Sequence, residues 1–179
     1  MAIKKNQQYN EGFIADGNLV VMAVAADEVE DPTQVSAALL NGATALDVTY
    51  DITPDGWNHT PQNETSEGRR LTSPFTIQRE GRQTDTLEVT YVWNPELPEG
   101  DTSLDRFLTV GERYIFFTRW GIDHDQDFAA GDIVDLFPVK CGRKRKNQPA
   151  EGEDHTKTVT LSTAGLVRED VALVAGPTP

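Results

Sequence analysis

Short stretches in which apolar and polar residues alternate recur along this chain, and they hold it to a β-rich fold. Leu46, Val48, Tyr50 and Ile52 alternate with Asp47, Thr49 and Asp51. Leu87, Val89, Tyr91 and Trp93 alternate with Glu88, Thr90 and Val92, and Thr156–Ser162 repeats the pattern. A period of two sends successive side chains to opposite faces of a strand. Leu19–Ala25, Arg113–Trp120 and Ile133–Val139 are rich in β-branched and aromatic residues and read as further strands. Pro138 in the last of these predicts an edge position or a bulge.

One helix is expected. Asp31 suits an N-cap, Pro32 the first turn, and Val35, Ala38 and Leu39 one apolar face, with Gly42 placed to end it after about ten residues. Residues 102–110 read equally as a short helix or a loop. With about seven strands and no βαβ rhythm, the expected fold is mainly β, an antiparallel sandwich or barrel with one flanking α-helix. Residues 18–164 form its domain. Residues 1–17 and 165–179 read as arms, 54–72 as a long polar loop, Glu80-Gly81 as a turn and 141–155 as a charged loop. A loop as long as 54–72 in a compact domain is usually functional or ordered by a partner.

The formal net charge of −13 argues against binding DNA through its phosphates, which takes Lys and Arg. The same charge suits a channel through which DNA slides without being held. A lone cysteine, Cys141, excludes an internal disulfide framework. The N-terminus carries no signal-peptide pattern, and its apolar runs are too short for a membrane anchor, so synthesis in the cytosol is expected.

Chemistry-bearing constellations are weak. Asp123, Asp125 and Asp127 have the opening spacing of a calcium loop, but Phe128 and Val134 stand where that loop needs Gly and Glu. His59, His124 and His155 all fall in expected loops without metal-ligand spacing. Cys141 has no base beside it in the sequence. The expectation is therefore no catalytic residue, no metal and no cofactor. Arg143, Lys144, Arg145 and Lys146 form a basic run. In so acidic a chain they are expected to meet an acidic stretch of a neighbouring copy, either Asp27, Glu28, Glu30 and Asp31 or Asp123, Asp125 and Asp127.

The block Gly111-Glu112-Arg113-Tyr114-Ile115-Phe116-Phe117-Thr118-Arg119-Trp120-Gly121, followed by Phe128-Ala129-Ala130-Gly131-Asp132-Ile133-Val134-Asp135-Leu136-Phe137-Pro138-Val139 and then Cys141-Gly142, carries a resemblance. It resembles the major tail tube protein family of long-tailed phages, with an aromatic strand ending in Arg-x-Gly and an Ala-x-Gly-Asp turn into a strand ending Pro-Val. The resemblance implies a structural subunit of the virion tail, assembled in the host cytoplasm. Six copies would form a ring and rings would stack around an acidic lumen. The implied partners are other copies, the tape measure protein, the tail terminator, tail tip proteins and passing DNA that is not specifically bound. Inter-subunit contacts are then expected from Trp57, His59, Arg69 and Arg70 in the long loop, from the basic run and from the two terminal arms. The acidic stretches would face the lumen or the ring contacts. Rival readings are another phage part, such as a terminator or capsid decoration, and a carbohydrate-binding sandwich with Trp57, Trp93 or Trp120 as its platform.

Overall fold

The computed structural model describes residues 17–68, 71, 77–98, 100, 102–149 and 151–176. The N-terminal arm up to residue 16, with Arg69 and Arg70, lies outside them. The fold is mainly β, an eight-stranded antiparallel sheet that is curled but not closed, with two short helices. The strands are β1 (Leu19–Ala25), β2 (Ala45–Asp47), β3 (Ile52–Gly68), β4 (Ile77–Val92), β5 (Arg113–Trp120), β6 (Ile133–Lys146), β7 (Thr156–Thr163) and β8 (Arg168–Ala172). Their order across the sheet is β2-β1-β5-β6-β7-β4-β3, with β8 paired to β6.

Curling gives the sheet an inner face. Val21, Ala23, Phe116, Phe137, Val89, Tyr91 and Leu161 meet there as one core. Trp57 of β3 closes it from the far edge, with its ring centroid 5.8 Å from Phe116 and 5.5 Å from Phe137. The outer face of β1, β5 and β6 carries a second core of Val20, Met22, Val24, Ile115, Phe117 and Leu136. Helix α1 (Ala37–Leu40), Phe128 and Leu173 cover it. β1 and β5 are thus buried on both faces, which is why they show unbroken apolar runs where β4 and β7 alternate.

Several elements differ from expectation. The helix starts at Ser36, whose hydroxyl accepts from Leu39 N at 3.3 Å, and it lasts four residues. Asp31 instead closes a local turn, accepting from Thr33 N and Thr33 Oγ1 at 2.8 and 2.6 Å. The C-terminal segment holds Ser36 extended: Val174 N donates to Val35 O, and Ala37 N donates to Val174 O. Residues 165–176 are therefore not a detached arm, because β8 joins the sheet and Leu173 is buried. The stretch 46–52 is not one strand. β2 ends at Asp47, and a turn carries the chain into β3. Residues 104–107 form α2 (Leu104–Phe107).

The expected loop 54–72 is a strand through Gly68, paired along its length with β4. Both faces of this outer ribbon are solvated, so it carries no apolar alternation to read. Pro54 and Pro61 are tolerated because β3 is an edge strand. Glu80-Gly81 lies within β4 beside a register shift and is not its turn. Residues 141–146 extend β6 and are not loop. Pro138 lies in a central strand. Its carbonyl accepts from Ala164 N, so its missing N–H points to the same side, into the gap between β7 and β8 where no ladder bond is lost.

Candidate assembly surfaces

The β3–β4 ribbon is the first such surface. β4 pairs with β7 only from Thr86 to Val92, so residues 77–85 have β3 as their sole strand partner. At strand rise this ribbon reaches about 30 Å past the sheet. Its side chains are polar apart from Ile77 and Pro61, and nearly all are exposed. The ribbon's base is fixed. His59 sits with its ring centroid 5.1 Å from that of Phe137 and its Nε2 3.2 Å from Asp85 Oδ1, while Thr163 Oγ1 donates to the Asp85 carbonyl. Of the loop residues expected to contact neighbours, Trp57 and His59 thus pack on their own domain.

The second surface is a pair of open edges. Among the described residues no strand covers the outer edge of β3. The β5–β6 ladder ends at Arg113 opposite Lys140, with the loop before β5 adding bonds to Cys141 only. Residues 142–146 therefore have a strand neighbour only in β7. Gly142 sits at the register shift there, and a Cβ on it would collide with the Thr160 carbonyl oxygen.

The basic run lies on this stretch, and strand alternation splits it. Lys144 turns inward to Asp105, 3.5 Å from Oδ1, and Lys146 stands 4.3 Å over the ring of Trp93. Lys157 covers the same ring at 4.2 Å and donates to Asp105 Oδ2 at 2.8 Å. Tyr91 OH donates to the other Asp105 oxygen at 2.8 Å. Burial opposes the charge on Asp105, but the hydrogen bonds from Lys157 and Tyr91 and the two ammonium charges outweigh it, holding the carboxyl below its ordinary range. Arg143 and Arg145 face the opposite, solvated side, where Arg145 lies 3.9 Å from Glu88. No residue of the run touches an acidic stretch of the same chain.

Asp27 and Glu28 lie in an exposed 3-10 turn after β1, with Glu30 and Asp31 exposed just beyond it. Asp123, Asp125 and Asp127 are exposed on the β5–β6 connection. That connection is organised from below by Arg119, which is 0% exposed. Its Nη1 donates to Asp127 O and Asp132 Oδ2 at 3.2 and 3.1 Å, and its Nη2 to Asp123 O and Gln126 O at 3.1 and 2.5 Å. The guanidinium lies 4.3 Å over Phe128. The Arg-x-Gly and Ala-x-Gly-Asp patterns are two halves of this one clamp. Sequence reading missed the Arg119–Asp132 clamp and the separate cluster around Asp105. The signal for Arg119 and Asp132 was their place in the resembling block; for Asp105 there was none.

Ligand atoms of Asp123, His124 and Asp125 lie within 4.8 Å of one another. His124 is already engaged by Tyr50 OH and by Asp125 Oδ1 at 3.1 Å. Cys141 is buried in the inner core, and burial raises its thiol above its ordinary range despite Lys144 nearby. The three tryptophans make no common platform. Trp57 is in the core, Trp93 lies under two lysines and Trp120 donates to Asp135 Oδ2 at 3.0 Å.

The family model described as phage tail tube protein matches residues 6–176. No curated protein matches the sequence. Among solved structures, a chain of the anti-feeding prophage baseplate, determined by cryo-EM with six-fold symmetrisation, is similar over 90% of this chain and 96% of that one, with a TM-score of 0.54 and 10% identity. At that identity the likeness is one of fold. The family match spans almost the whole sequence, and the chain belongs to the phage tail tube protein family.

Proposed function

We propose that this chain is the repeating structural subunit of a phage tail tube, without a catalytic role. Copies join side by side into six-membered rings, and rings stack around a bore that encloses the tape measure protein and later conducts DNA. The observation that carries this reading is the unfinished sheet. Open edges are an aggregation liability that isolated domains suppress. Here, among the described residues, both ends of the run β6-β7-β4-β3 lack a strand partner, β3 along its outer edge and β6 over residues 142–146.

Strand directions fit closure between copies. Because the run holds four antiparallel strands, β3 runs opposite to β6. A ring rotation keeps every β6 parallel to every other, so β3 of one copy meets the next β6 antiparallel, and one closed sheet results. Six-fold symmetry of the similar baseplate structure supports six copies.

The ribbon, which its own domain cannot bury, reaches to an adjoining ring, with Arg69, Arg70 and residues 1–17 as further contacts. The remaining partners are the tail terminator and tail tip proteins. The place of action is the virion tail, assembled in the host cytoplasm. Negative-stain microscopy across concentrations tests this. Stacked rings or hollow tubes are expected from the full chain, and none from a variant with residues 60–85 replaced by a tight turn. Monomers from the full chain at every concentration, even when mixed with tail tip complex, would overturn it.

A further inference from the structure

One end of the inner face is left uncovered among the described residues. Leu19 of β1 stands opposite Trp120 of β5, and Ile133 of β6 stands opposite Ala172 of β8. The β5–β6 ladder runs to Thr118 opposite Asp135, and Trp120 and Ile133 each lie two residues past that pair. Alternation from Phe116 and Phe137, both in the inner core, puts them on the inner face with Leu19. Four apolar side chains on adjacent strands thus form one row. Trp120 is 53% exposed and Ile133 47%, and Ala172 is exposed as well. The row is held at its centre, where Trp120 Nε1 donates to Asp135 Oδ2 at 3.0 Å and to Thr118 Oγ1 at 3.2 Å.

Contiguous exposed apolar surface marks a place where something binds, and the chain itself supplies the occupant. β1 begins at this end, so residues 1–16 lead directly into the row at Leu19. The large apolar side chains nearest to it in that segment are Phe13 and Ile14. Asn18 O accepts from Gly121 N at 2.8 Å and Gly17 O from His124 N at 2.9 Å, which fixes the point of entry. Gly17 has a φ of 74°, a conformation that lets glycine reverse an extended chain without steric cost. On the outer side the β5–β6 connection already flanks β1, with His124 and Phe128 beside Val20 and Met22, whereas the inner side is open. Reach agrees with this placement. Four strands at about 4.8 Å spacing make a row about 14 Å wide. The four residues from Gly17 back to Phe13 span about 13 Å when extended. Residues 177–179, Pro-Thr-Pro, bring no large apolar group to compete.

We propose that the segment before β1 turns back at Gly17 and lays Phe13 and Ile14 across Leu19, Trp120, Ile133 and Ala172, capping the open end of the inner core within a single copy. The cap takes out of solvent an apolar row through which copies would otherwise adhere apart from their strand edges. Residues 1–8, which carry Lys4 and Lys5, are left for contact with a neighbouring copy. The cap needs no ring, so it stands or falls separately from the tail tube reading.

A reporter cysteine tests the cap in the full chain, diluted until it is monomeric. Ile133→Cys in a Cys141→Ala background is labelled with a small maleimide, with and without Phe13→Asp and Ile14→Asp. The two aspartates are expected to speed labelling about tenfold, the ratio that about 1.4 kcal/mol of docking free energy gives, with the circular dichroism spectrum unchanged. A Val110→Cys reporter, exposed at the opposite end of β5, is expected to label at one rate in both backgrounds. Equal rates at position 133 overturn the proposal. So does protection at position 133 that is lost on dilution, which makes a second copy the occupant. Independently, a short bismaleimide is expected to join Gly12→Cys to Ala172→Cys within one chain and to leave Gly12→Cys and Val110→Cys unjoined. Products formed only between chains, or none, overturn the proposal as well.

Discussion

The two halves of the sheet differ in how they are held. Around β5 each strand is sandwiched, with Phe116 in the inner core and Phe117 in the outer one. Around β7 and β4 the inner face is buried, while the outer face, Thr158 apart, is partly or fully exposed. The first half is buried on both faces, while the second leaves, among the described residues, a more exposed outer face and two strand edges without a partner.

Substitutions break or sharpen this contrast. Phe117→Ala empties part of the outer core and is expected to cost about 3–5 kcal/mol in denaturant unfolding of the monomer. Arg119→Ala removes the donor to Asp132 Oδ2 and to three loop carbonyls, and a loss of about 3 kcal/mol is expected. Hydrogen exchange should rise across residues 121–132 in that variant, and unchanged protection there would mean the clamp does not hold the loop.

Asp105→Asn probes the charged end of the less covered half. Its carboxyl is depressed in the folded state, so its contribution is present above the unfolded value of about 4 and is lost as pH falls through the folded one. The variant is expected to be less stable than the parent at neutral pH and to converge with it in acid. Parallel stability curves over the whole acid range would show that Asp105 is not the titrating group. Thr160→Ala, on the open face, is expected to shift stability by less than about 0.5 kcal/mol, since it removes an exposed hydroxyl from a half-covered strand.

Much of the inner core was legible. Leu87, Val89 and Tyr91 announce a half-buried strand through period two, and they line the inner core. β5 was legible through composition alone. The ribbon was not, because a strand solvated on both faces has no hydrophobic period, and prolines that read as loop are acceptable on an edge. The helix was overestimated because its N-terminal residues are claimed by Val174, 138 positions away in sequence from Ser36. The expected contacts of the basic run were read as one unit, although strand geometry sends Lys144 and Arg145 to opposite faces.

The sequence by itself determined the β class, the strands with one or two buried faces, the acidic balance and the block that marks the family, because these depend on local periodicity and on residue identity. Only the tertiary structure decided that β6 takes β5 along one half and β7 along the other, that Arg119 reaches Asp132, and that two edges stay open. Those outcomes depend on which distant backbone groups find partners, and neither propensity nor spacing encodes that pairing.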